Sequence, residues 1–76
     1  MTKHLTLYST SACHLCEEAE LLLTQSSVKW QTIEITDHEE LLELYSHKIP
    51  VIYDSHNKKE LCWPFNMADI QAFMNQ

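Results

Sequence analysis

Three runs within the first 36 residues constrain the fold of this chain more than anything else in it. Lys3-His4-Leu5-Thr6-Leu7-Tyr8 alternates polar and apolar side chains, the period of a strand with one buried face. Residues 14–25 place Leu15, Ala19, Leu22 and Leu23 at helical spacing, with Glu17, Glu18 and Glu20 on other faces. Val28 to Thr36 is rich in β-branched and aromatic residues and predicts a second strand. A strand, a helix and a strand in that order close as a right-handed crossover, with the two strands parallel.

The rest of the chain predicts a helix, a hairpin and a last helix. Asp37 followed by Glu40 has the spacing of a capping box, with Asp37 as N-cap, and opens a helix over residues 38–47 carrying Leu41, Leu44 and Tyr45. His47 and Lys48 then stand where positive groups favour a helix C-terminus. Pro50-Val51-Ile52-Tyr53 is a third strand, Asp54 to Asn57 a turn, and Lys59 to Cys62 a short fourth strand. Asn66 caps the last helix, and Phe65 with Ile70 occupies the two positions of a hydrophobic staple. The third strand is expected antiparallel beside the first, and the fourth parallel to the first. The order βαβ-α-ββα gives an α/β domain over residues 1–76, a four-stranded mixed sheet with helices on both faces, which is the thioredoxin fold in its minimal form. Glycine is absent altogether, so Asn57 or Asn66 is expected at the left-handed positions glycine usually fills.

Composition removes several classes of function. The net charge is −6 and every basic residue is a lysine, which speaks against nucleic-acid binding. No run of about 20 apolar residues is present to span a membrane. Met1-Thr2-Lys3-His4 lacks the apolar stretch of a signal peptide. Three cysteines make an odd count, unlike a secreted disulfide scaffold, so the expected compartment is the reducing cytoplasm.

In such a compartment Cys13-His14-Leu15-Cys16 has three readings: a redox pair, half of a metal site, or two packed thiols. Cys13 falls at the first turn of the first helix, where free N–H groups and the helix dipole favour the thiolate. Cys16 lies one turn on, so its sulfur can return to that of Cys13. The pair can then attack a disulfide through Cys13 and resolve the mixed disulfide through Cys16. A zinc site needs four ligands, and His4, His38, His47 and His56 are scattered. A cluster bridged between two chains, one cysteine from each, is the remaining metal form. The alternative to an enzyme is a non-catalytic module of the same fold that binds metal or a partner protein through these cysteines.

The residues Leu7-Tyr8-Ser9, Cys13-His14-Leu15-Cys16, Ile49-Pro50-Val51 and Trp63-Pro64-Phe65, in that order and over nearly the whole chain, resemble the glutaredoxin-like branch of the thioredoxin superfamily. The resemblance implies a thiol–disulfide oxidoreductase with Cys13 and Cys16 catalytic. It implies a cis bond before Pro50, which faces the active-site cysteine, and an Ile49 backbone offered to an extended substrate or to glutathione. If the third strand lies antiparallel beside the first, Pro50 also begins at the rim where the first strand ends. Tyr8, His14 and Trp63 complete the expected substrate-binding set. Cofactors are expected to be none tightly bound, with glutathione as reductant. Expected partners are disulfide-containing proteins or small thiols, and an electron-donating reductase or glutathione; the chain is expected to act as a monomer, away from nucleic acid and membranes. It departs from the family pattern at Thr10-Ser11, where a basic residue is usual, and at Cys62 to Asn66, where a glycine-rich turn and an acidic residue usually hold glutathione. Asn66 or Asp69 is the candidate substitute. Cys62 is expected near the rim but two strand spacings from Cys13, roughly 9–10 Å. It is read as a buried thiol, with glutathionylation as its functional alternative.

Overall fold

Leu5 and Leu7 leave the first strand on the same side, and the core gathers there. In a computed structural model, which describes residues 5–75, β1 (Leu5–Ser9) is followed by α1 (His14–Gln25), β2 (Trp30–Glu34) and a single 3₁₀ turn (Ile35–Asp37). Then come α2 (Glu39–Tyr45), β3 (Val51–Asp54), β4 (Lys59–Cys62) and α3 (Met67–Met74). Lys3 and His4, the start of the expected first strand, lie outside the described residues. The sheet order is β2-β1-β3-β4, with β1 parallel to β2 and antiparallel to β3, and β3 antiparallel to β4. This is the expected four-stranded mixed sheet of the minimal thioredoxin fold.

Strand residues alternate across the sheet. Leu5, Leu7 and Ile52 therefore share one face, where they form a buried cluster with Ala19 and Leu23 of α1 and with Phe65, Ile70 and Phe73. On the opposite face Tyr8 stacks on Tyr45 of α2 at 4.6 Å between ring centroids, and lies 6.1 Å from Tyr53. The Tyr45 hydroxyl donates to Glu60 of β4. Burial, with neighbouring negative charge adding to it, raises the phenols of Tyr8 and Tyr45 above the ordinary tyrosine range. Among the described residues no helix is long and apolar enough to cross a membrane.

Two local expectations are overturned. Asp37 does not cap α2: it ends the 3₁₀ turn, which buries Ile35, and the helix starts one residue later. His38 is the N-cap and makes no side-chain cap bond. The left-handed positions are Ala12, Ser27 and Lys58, with φ of 57°, 58° and 55°, rather than Asn57 or Asn66. At the β3–β4 turn a buried Asp54 does the organising. It accepts from the N–H groups of His56 and Asn57 and from Asn57 Nδ2. That carboxylate closes the turn without a glycine, and Lys58 takes the left-handed step. The last helix is capped as expected. Asn66 Oδ1 accepts from Asp69 N and Asp69 Oδ2 from Asn66 N, while Phe65 and Ile70 are both buried.

Candidate active site

β1 delivers the chain to the rim of the sheet, and α1 starts there. Cys13 is the N-cap of α1: its backbone is extended (φ −106°, ψ 106°) and its Sγ accepts from Cys16 N at 3.1 Å. A sulfur thus fills the place usually held by a Ser, Thr, Asp or Asn oxygen. Helix geometry brings Cys16 under it. The two sulfurs lie at disulfide distance with the Cα atoms 5.2 Å apart, inside the usual span for such a bond. Cys16 is buried, whereas Cys13 is only half-buried.

The other side of the rim comes from β3. Val51 pairs with Tyr8, so Pro50 lies level with Ser9 and the loop into the motif. Pro50 is buried, the Ile49–Pro50 bond is cis, and Pro50 O accepts from Trp63 N at 3.1 Å. Ile49 does not present all of its backbone, because its N–H donates to Tyr45 O. Trp63 stands edge-on to Phe65 at 5.0 Å and packs against the core. Its backbone is therefore tied to Pro50 while its ring helps to close the interior.

Two of the expected site residues make contacts of their own. The Tyr8 ring belongs to the tyrosine cluster under α2. His14 is exposed, with Nδ1 3.8 Å from Glu17 Oε2. Asn66 and Asp69, the candidates to stand in for the usual glutathione contacts, bond to each other in the α3 cap. Cys62 pairs with Val51 at the expected rim, but it is exposed rather than buried, because β4 is an outer strand. Among the described residues no group of three or more His, Cys, Asp or Glu is gathered to hold a metal ion.

One contributor has no signature in the sequence. Glu34 ends β2 opposite Ser9, and its Oε1 accepts from Thr10 Oγ1 and from Thr36 Oγ1, each at 2.6 Å. The hydrogen bonds from Thr10 and Thr36 hold its carboxyl below the usual carboxylate range, with a smaller contribution from the Ser11 backbone. A carboxylate 24 residues downstream thus secures the loop that leads into Cys13. Only the strand register, not any local pattern, brings the two together.

The profile of the glutaredoxin-like domain family (DUF836) matches residues 4–75. No curated protein matches the chain. Among solved structures, the X-ray structure of the structural-genomics target protein XcR50 from X. campestris is similar with a TM-score of 0.87 and 33% identity, over 93% of this chain and 95% of that one. The solution structure of XcR50 gives a TM-score of 0.83 over 93% and 91% of the two chains, again at 33% identity. The solution structure of protein Ne2328 from Nitrosomonas europaea gives 0.75 and 31% identity, over 96% and 92%.

Proposed function

The chain belongs to the glutaredoxin-like domain family, and from that premise we propose that it is a thiol–disulfide oxidoreductase acting through Cys13 and Cys16. The observation that carries the reading is the capped sulfur: Cys13 Sγ receives the Cys16 N–H at the start of a 12-residue helix, within disulfide distance of a buried partner thiol. An N–H donor and the helix dipole both favour negative charge on that sulfur, and the thiolate is the nucleophile.

In the reduced protein the Cys13 thiolate attacks one sulfur of a substrate disulfide RS–SR′. The Cys13–SR bond forms, the RS–SR′ bond breaks, and R′S⁻ leaves and takes a proton from water. Cys16 loses its proton and attacks Cys13 Sγ. The Cys13–Cys16 bond forms and RS⁻ leaves. Two electrons pass from the protein dithiol to the substrate, which ends as two thiols. Ile49 is the platform at the rim that holds Cys13, placed there by the buried Pro50 and with its N–H already committed to Tyr45. The substrates are protein disulfides or small disulfides. Glutathione or a reductase returns the electrons, and the cytoplasm is the compartment in which such a couple works.

The test is reduction of hydroxyethyl disulfide by the purified protein. Cys13→Ser is expected to abolish turnover. Cys16→Ser is expected to accumulate a mixed disulfide on Cys13, visible by mass. Undiminished turnover in Cys13→Ser overturns the assignment.

A further inference from the structure

The loop entering the cysteine motif carries no charge of its own, yet a charge is fixed beside it. Thr10, Ser11 and Ala12 are neutral, and the Thr10 hydroxyl is committed to Glu34. A glutamate is ionised at neutral pH, and the hydrogen bonds from Thr10 and Thr36 favour that charged form further. The described lysines lie mostly elsewhere. Lys59 pairs with Asp54, which pairs with Leu5; Lys58 precedes Lys59, and Lys29 precedes Trp30, also a partner of Leu5. These three stand at the end of the sheet opposite the disulfide. Lys48, two residues before Pro50, stands on the β3 side of the rim, whereas Glu34 stands on the β2 side.

We propose that Glu34 is a specificity-determining residue of this site: held by Thr10, it favours thiol and disulfide partners with positive charge next to the reacting sulfur over anionic partners such as glutathione. The inference rests on the reading of Cys13 and Cys16 as a thiol–disulfide pair. Glu34 does not touch the reacting sulfurs. It acts through the position and field of the loop. The chemistry on which it acts is the opening of the protein disulfide. A thiolate RS⁻ attacks Cys13 Sγ, the Cys13–Cys16 bond breaks, and Cys16 leaves as a thiolate that takes a proton. A second RS⁻ then releases RSSR and the Cys13 thiolate. Two thiols are oxidised and one protein disulfide is reduced.

The experiment compares three thiols that differ in the charge away from their sulfur. Cysteamine carries an ammonium, mercaptoethanol is neutral, and glutathione carries two carboxylates and one ammonium. Rates of opening the oxidised protein are measured relative to mercaptoethanol, at equal thiolate concentration, which cancels effects common to all attacking sulfurs. Glu34→Gln keeps a carbonyl to accept from both threonines and removes only the charge. At low salt it is expected to raise the relative rate of glutathione about two- to threefold and to lower that of cysteamine by a similar factor. That is the size of one unit charge acting through water at roughly 7–10 Å. Both shifts are expected to shrink at about 1 M salt. Glu20→Gln removes the same net charge about two helical turns beyond Cys13 and is expected to shift the ratios less. Unchanged ratios in Glu34→Gln, with the disulfide opening normally, overturn the proposal, as do equal shifts in Glu20→Gln. If neither mercaptoethanol nor dithiothreitol opens the disulfide, the oxidoreductase reading itself fails and this inference falls with it.

Discussion

On the face of the sheet that receives α1 and α3, Leu5, Leu7 and Ile52 meet Ala19, Leu23, Ile70 and Phe73, all of them buried. On the face that receives α2, the helix buries none of its residues and is fixed through Tyr45, stacked on Tyr8 and bonded to Glu60. Apolar area removed from water is the main stabilising term in a small domain, so α1 and α3 contribute more to it than α2. The same division runs through the candidate site. Cys13 caps α1 and Cys16 lies within it, and the Cys16, Ala19 and Leu23 side chains of that helix are buried. The Ile49–Pro50 segment is instead joined to α2, whose last turn holds the Ile49 N–H. The cysteine pair thus sits at the start of the helix that packs into the core, and the Ile49–Pro50 segment is joined to the helix that buries none of its own residues.

One substitution applied on both faces tests this most sharply. Leu23→Ala is expected to lower stability by about 2–5 kcal/mol, through lost burial and the cavity left behind. Leu44→Ala, on α2 with Leu44 62% exposed, is expected to stay within about 0.5 kcal/mol. Urea denaturation of the two variants checks both figures, and comparable losses would break the contrast. Next in size is Asp54→Ala, at about 1–3 kcal/mol, since it leaves the donors of His56 and Asn57 without their carboxylate. Smaller again is Tyr45→Phe, which removes only the hydroxyl bonded to Glu60 and is expected to cost about 0.5–1 kcal/mol.

The smallest effect is one of pH. Tyr8 and Tyr45 hold their protons more tightly in the folded state than in the unfolded one. Their contribution is therefore complete below the unfolded tyrosine value of about 10 and is lost as pH rises through the folded values. Glu34 has the opposite sign. Its folded value is lowered, so its contribution is present above the unfolded carboxylate value and is lost as pH falls through the folded value. Stability measured by urea denaturation is expected to decline above pH 10, and to decline less steeply in Tyr45→Phe.

Much of the better-packed half was legible in the sequence, because its signals are local. The spacing of Ala19 and Leu23, the Asn66 cap with Phe65 and Ile70, and the two cysteines one helical turn apart each lie within a few residues of one another. What escaped depends on register or on burial. Nothing near Thr10 points to Glu34, since parallel pairing of β1 with β2 brings them together. Asp37 and Glu40 have the spacing of a cap, but burial of Ile35 winds a 3₁₀ turn through Asp37 and moves the start of the helix. The sequence reads Cys62 as buried, but it lies on an outer strand and is exposed. Left-handed backbone at Ala12, Ser27 and Lys58 leaves no trace where glycine is not used.

As a thiol–disulfide oxidoreductase, which we propose it to be, the protein uses Cys13 and Cys16 as a reversible two-electron couple. Equilibrating the protein in glutathione and dithiothreitol buffers of graded ratio, trapping thiols by alkylation and reading masses by peptide tests it directly. Loss of two alkylation sites at Cys13 and Cys16 together is expected as the buffers become more oxidising. Cys62 is expected to take the alkylating reagent throughout. Cysteines that stay reduced in both buffer systems, or an oxidised pair that includes Cys62, would contradict it.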